Sequence, residues 1–223
     1  SRAAWIASLV SCGYVVLRLY REKIKSFVLR HRYALLGVLI VGTLFATGMY
    51  FIKRDSVDGR LLIWKITTQA IADSPWGVEG GKTFSAFYGD VQERYFTDCK
   101  YSDSEAWVAG TPDFAFNEYL QIAVEYGVWG SVLFVTVLLM LLKIAGNCKH
   151  LAGMGGCLVS LMVFACFSYP IHIPAIVSIW SLVVIVLCGE GLVMMKYRLI
   201  PKIVLLSVVA SGLTVSIKIH DWY

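Results

Sequence analysis

Asn117, Glu118, Gln121 and Glu125 fall within nine residues and are the side chains best suited to chemistry. They stand where the one long polar segment of the chain meets an apolar run over residues 128–142. If that run crosses a membrane, the carboxylates sit at its mouth, where polar groups cost little and can still act. Glu118 is the first candidate for a general base, since a buried carboxylate gains the basicity needed to deprotonate a hydroxyl. The plainer role for Glu118 is an ion pair with a lysine or arginine of the polar segment. Asn117 and Gln121 either hydrogen-bond a polar substrate or cap the apolar helix. His172, between Pro170 and Pro174, is the second candidate base, or else a solvated turn residue. Arg60 is a cation at the first turn of an amphipathic stretch and is suited to an anionic ligand.

These residues need elements to hold them, and composition says where those elements lie. Hydrophobic residues make up 58% of the 223 positions and charged residues 16%, with a mean hydropathy of +0.69. Such values indicate a multi-pass membrane protein. The net charge of +5 comes from short basic clusters between apolar runs. That pattern fits the positive-inside rule. No basic stretch is interleaved with exposed aromatics, so a nucleic-acid partner is not expected. Most of the six cysteines lie in or beside apolar runs, where Cys acts as a small hydrophobe. Only Cys99 lies in the polar segment, and no zinc-ligand spacing occurs. The chain opens at Ser1-Arg2 without a signal-peptide pattern and reads as a piece of a longer protein.

Six spans are expected, over residues 3–19, 33–52, 128–142, 151–169, 175–195 and 203–217, the third extended backwards by 122–124. The basic loop over 21–32 is expected in the cytoplasm. That places Arg2, Lys53 and His172 outside, and Lys143, Lys149, His150, Lys196 and Lys202 inside. Glu190 is expected near an inner end, balanced by Lys196 or Arg198. Gly153, Gly155 and Gly156 should let helices approach closely. Within the polar segment, Leu62, Ile63, Ile66 and Ala70 recur at helical spacing, while Lys65, Thr68 and Gln69 fall on another face. This predicts an amphipathic helix over 60–72 on the membrane surface, capped by Ser56 or Asp58 and ended by Pro75. Residues 77–82 predict a glycine-rich turn, either plain or facing an anionic lipid-linked substrate. Phe84 to Tyr88 and Gln92 to Phe96 predict short helices with aromatics at headgroup level. Residues 97–112 predict an irregular loop.

The order Ser1-Arg2-Ala3-Ala4-Trp5, Asp58-Gly59-Arg60 with Trp64, Ser74-Pro75-Trp76-Gly77, Phe84, Tyr88, Phe116-Asn117-Glu118-Tyr119-Leu120-Gln121 and Glu125-Tyr126-Gly127 resembles the O-antigen ligase and polymerase superfamily. The likeness is to Bacteroides-like members and covers nearly the whole chain as their C-terminal half. It implies glycan transfer from an undecaprenyl-diphosphate carrier at the periplasmic face, with no metal, nucleotide or other cofactor. In the ligases the acceptor is the lipid A core. It also implies that Arg2 and Arg60 bind the diphosphate, where two cations would stabilise the leaving group. The chain departs from the pattern at one position. Ligases carry a histidine just before the asparagine of this junction, and Phe116 stands there, unable to accept a proton. The base would then be Glu118 or His172.

The reading is an all-α, polytopic transmembrane helical bundle in the bacterial inner membrane, with a long periplasmic loop containing amphipathic helices. Residues 1–52 supply two spans and a basic cytoplasmic loop, 53–118 the periplasmic loop domain, and 119–223 four spans. The expected reaction is glycosyl transfer from a polyprenyl-diphosphate glycan to lipid A core or another glycan. Polymerisation of O-antigen or capsule, or a non-catalytic role in polysaccharide export, are the alternatives. A transporter should carry ionisable groups in mid-span, and few are present here.

Overall fold

The computed structural model describes residues 2–30, 33, 37, 54–77, 83–98 and 101–194. The expected second and sixth spans, Cys99 and most of the glycine-rich turn lie outside these residues. Among the described residues every regular element is helical. They are α1 (Arg2–Arg30), α2 (Arg54–Asp73), α3 (Phe84–Asp98), α4 (Asp103–Val108), α5 (Glu118–Asn147), α6 (Ala152–Ala165) and α7 (Pro174–Met194), with 3-10 turns at Lys149–Leu151 and Pro170–His172. Three of them, over Arg2–Ile24, Glu118–Asn147 and Pro174–Gly191, are long and apolar enough to cross a membrane by length and composition. The fourth expected span is a shorter apolar helix, Lys149–Ala165.

The chain divides into two compact units. One comprises Ser1–Leu19, Leu133–Phe164 and Pro170–Tyr223. Here the glycine expectation holds at two of three positions. A Cβ on Gly155 would come within 2.7 Å of the Tyr14 hydroxyl, and one on Gly156 within 2.5 Å of a Val15 methyl. Both are needed for α6 to lie against α1, and the Ser11 hydroxyl donates to the Gly156 carbonyl at 2.7 Å. Gly153 has open space and plays no such part. Arg18, the one cation in the first apolar run, donates to the Gly146 carbonyl. That carbonyl belongs to the last turn of α5, where the negative end of the helix dipole offsets a positive charge. Glu190 lies 3.6 Å from His150 Nε2.

The second unit comprises Tyr20–Val132 and Ala165–Tyr169. Its α2 starts at Arg54, so Ser56 and Asp58 lie inside the first turns and do not cap it. Leu62, Ile66 and Ala70 form the expected apolar stripe, but they face protein. Opposite them stand Phe84, Phe87, Tyr88 and Tyr95 of α3, all buried. The aromatic run expected at headgroup level is therefore the core of this unit. The i, i+3, i+4 spacing of Phe84, Phe87 and Tyr88 places them on one helical face, where Phe84 stacks on Tyr88 at 5.1 Å and meets Phe87 edge-on at 5.4 Å. Burial pushes the Tyr88 phenol well above its ordinary range.

The stretch expected to be irregular contains α4, started by a capping box. The Ser102 hydroxyl accepts from Glu105 N at 3.3 Å, and the Glu105 carboxylate accepts from Ser102 N at 3.0 Å. The same carboxylate takes Lys65 Nζ at 2.7 Å and the Tyr95 hydroxyl at 3.3 Å, joining α2, α3 and α4. The bond to Lys65 holds Glu105 below the ordinary carboxylate range and raises Lys65.

Candidate functional site

The loop-to-span junction is built around a break in α5. Gly127 has φ 78° and ψ 168° inside a segment that is otherwise helical. In a straight helix Tyr119 and Ser131 would stand about 18 Å apart. Instead the Ser131 hydroxyl donates to the Tyr119 carbonyl at 3.1 Å. A Cβ on Gly130 would lie 4.0 Å from the Ile122 carbonyl. The arm over residues 118–126 is thus folded back on the start of the apolar run. The expected third span is interrupted where 122–124 was joined to it, and the uninterrupted apolar helix begins at Val128. The turn at Pro75 sits in this corner. Val128 N donates to the Pro75 carbonyl at 2.9 Å. Gly77 (φ 100°) and Gly127 meet backbone to backbone, since a Cβ on Gly127 would fall 2.7 Å from Trp76 C and O. Only glycine fits either place.

Asn117 caps the arm. Its Oδ1 accepts from Tyr119 N at 3.0 Å and Leu120 N at 3.2 Å. Of the two roles left open for it, the structure supplies the cap. Gln121 and Glu125 belong to a chain of bonds that anchors the residue before the junction. Gln121 Oε1 accepts from Ala115 N at 3.2 Å, and Gln121 Nε2 donates to Glu125 Oε1 at 3.2 Å. That oxygen also accepts from Phe84 N at 3.0 Å, at the start of α3. The Ala115 carbonyl takes Trp64 Nε1 from α2 at 2.9 Å. Glu118, in the first turn of the arm, is 1% exposed and Gln121 2%. An acceptor hydroxyl would therefore have no path to Glu118 without movement of its cover.

Phe116 follows this anchored residue with φ 53°, the one positive φ outside glycine among the described residues. A bulky residue held in the left-handed region costs about 1–3 kcal/mol and persists because its neighbours demand it. The Arg60 guanidinium stands 4.9 Å from the centre of the Phe116 ring. Nη1 of Arg60 donates to the Phe167 carbonyl at 3.0 Å. Tyr169 meets Phe116 edge-on at 5.6 Å and stacks on Phe114 at 4.4 Å. Trp64 and Phe167 lie 6.3 Å apart. A cation over an aromatic face gains about 0.5–2 kcal/mol, and most when water is kept away.

The structure thus brings Arg60 to the junction at Phe116. Arg2 is exposed in the first turn of α1, and His172 is exposed in the turn Pro170–His172. Both belong to the other compact unit. Sequence reasoning missed Phe167 and Tyr169 as partners of Arg60 and Phe116. The only signal was their place at the polar end of an apolar run, and that does not name a partner more than fifty residues away. It also missed Trp64 as an anchor of Ala115.

Apolar helices of membrane-crossing length and an arginine seated among aromatic rings at the mouth of one of them define a helical membrane protein with an arginine-centred junction site. Residues 1–135 match the family described as O-antigen ligase, which is more than half of the chain, and the chain belongs to that family. A protein of Rickettsia bellii (strain RML369-C), named "Putative polysaccharide ligase", is 27% identical over 178 residues. The alignment covers 77% of this chain and 40% of that relative, so the chain spans about two fifths of its length. No solved structure matches.

Proposed function

We propose that this chain takes part in transferring a glycan from a polyprenyl-diphosphate carrier, undecaprenyl diphosphate in bacteria, to lipid A core or to another glycan. In this reading the 53–118 segment faces the periplasm from the inner membrane. An acceptor hydroxyl oxygen attacks the anomeric carbon, the bond from that carbon to the diphosphate oxygen breaks, and polyprenyl diphosphate leaves. The acceptor proton passes to a base, with Glu118 and then His172 as the residues to test. Arg60 meets the charge that develops on the departing diphosphate, with Arg2 as the second cation. Asn117 and Gln121 line or support the glycan side.

The observation that carries this reading is the seat of Arg60 over Phe116, at the junction of a member of the O-antigen ligase family. A planar guanidinium gives paired, charge-assisted bonds to phosphate oxygens, and an aromatic ring beneath it fixes its plane. Phe116 cannot move a proton, so its contribution is to orient the cation. Polymerisation would use the same donor and leaving group with a glycan acceptor.

The test is Arg60→Lys, which keeps the charge and loses the fork. Glycan transfer by the full-length protein should fall by about 10²–10³-fold, the scale for removing one preorganised donor from a developing anion. Protein level in the membrane should stay normal. Transfer at the parent rate would rule out a paired contact between Arg60 and the diphosphate.

A further inference from the structure

The aromatic residues at the α5 corner differ from those of α3. Trp76 is 79% exposed, Tyr126 68% and Trp129 66%. All three lie at one place in the fold. Trp76 is in the turn whose backbone is pressed onto Gly127, while Tyr126 and Trp129 flank that glycine. Val128 and Val132, next along the same helix, are exposed as well. Large exposed aromatic rings gathered at one close-packed corner mark an interaction surface.

We infer that Trp76, Tyr126 and Trp129 form a docking surface for the headgroup region of a lipid bilayer, and that it pins the Pro75 turn to the membrane. Continuity names the occupant. The surface runs directly into the apolar run over residues 128–142, part of the helix Glu118–Asn147 that is long and apolar enough to cross a membrane by length and composition. Indole and phenol rings combine an apolar body with a polar N–H or O–H, and they settle where hydrocarbon meets water. Trp76 belongs to no such helix. It reaches this level only because Gly77 and Gly127 allow two backbones to touch. The bilayer boundary therefore passes through the corner. Because the arm folds back from there, the Tyr119 carbonyl bonded to Ser131 stands two residues along the span from Trp129. The Asn117 turn is then held at headgroup depth, where a lipid-linked diphosphate would lie. The docking surface itself does not depend on the proposed reaction.

The test is fluorescence quenching of the purified protein in phosphatidylcholine vesicles carrying bromine at shallow or deep acyl positions, with aqueous iodide as a third quencher. Subtracting the emission of Trp76→Phe from that of the parent isolates Trp76. The exchange is at an exposed position and leaves the Gly77–Gly127 contact intact. A parallel Trp129→Phe subtraction serves as the reference for the span boundary. The Trp76 emission should lose most of its intensity to shallow bromine, less to deep bromine and little to iodide, matching Trp129. Quenching by iodide in preference to bromine would overturn the inference and leave a soluble partner or open water as the environment of Trp76. Insensitivity to all three quenchers would overturn it too, because the ring would then be covered by protein.

Discussion

Gly127→Ala is the sharpest single perturbation of this structure. The φ 78°, ψ 168° conformation of Gly127 belongs to a region that residues with a Cβ hardly enter, costing about 1–3 kcal/mol. The new methyl would also fall 2.7 Å from Trp76 C and O and 3.1 Å from Pro75 O, all backbone atoms that cannot rotate away. Relief requires the Pro75 turn to leave the corner, which breaks the bond from Val128 N to Pro75 O. A net backbone hydrogen bond adds about 0.5–1.5 kcal/mol. The sum is a destabilisation of about 1.5–4.5 kcal/mol. Gly89→Ala is the control. Gly89 is exposed inside α3 with nothing within 4 Å of a Cβ, so alanine should stabilise that helix by about 0.5–1 kcal/mol. The assay is thermal unfolding in detergent followed by circular dichroism, with hydrogen exchange read at the Val128 amide. Gly127→Ala should melt several degrees below the parent and lose Val128 protection, while Gly89→Ala melts at or above it. Gly77→Ala should act on the same contact, so the double variant should cost less than the sum of the two. A Gly127→Ala protein that melts with the parent and keeps Val128 protected would refute the packed corner.

Further outcomes are expected at the other sites. Glu105→Gln should lower stability at pH 7 by no more than about 1 kcal/mol, because the Lys65 pair is largely exposed. Glu105 is held below its ordinary value of 4.5, so its contribution is present above that pH and lost as pH falls through the lower folded value. Lys65 is raised above 10.5, so its share is full below that pH and is lost only as pH climbs through the raised value. The gap between parent and Glu105→Gln melting temperatures should therefore be flat from about pH 5 to 10 and should close in stronger acid; a gap that widens in acid would contradict the bond. Glu118→Gln and His172→Ala, separately and together, locate the proton acceptor: loss of the base should cut transfer by about 10²–10⁴-fold. Parent rates in all three would leave the chemistry to leaving-group stabilisation by arginine.

Run length and composition, both local properties, determined that the chain is helical and has apolar stretches long enough to cross a membrane. The 3.6-residue period likewise marked the apolar stripe of Leu62, Ile66 and Ala70, and Pro75 marked the end of α2 near where it occurs, whereas the break at Gly127 was not read and the third span was carried back across it. The junction residues and Arg60 were legible as candidates because their types are rare in so apolar a chain. Partnership was not legible. The α2 stripe faces α3 and not lipid, since period reports that a face is buried but not against what. That Asn117 caps the arm and Gln121 braces Ala115 was not legible either, because an amide group bonds substrate or backbone according to its neighbours. The reversal at Gly127 depends on the Pro75 turn, some fifty residues earlier, entering a space that two glycines leave open. Arg60, Phe116 and Tyr169 likewise meet from distant parts of the chain. Contacts between distant parts of a chain are set by how faces pack, and only the tertiary structure decides that.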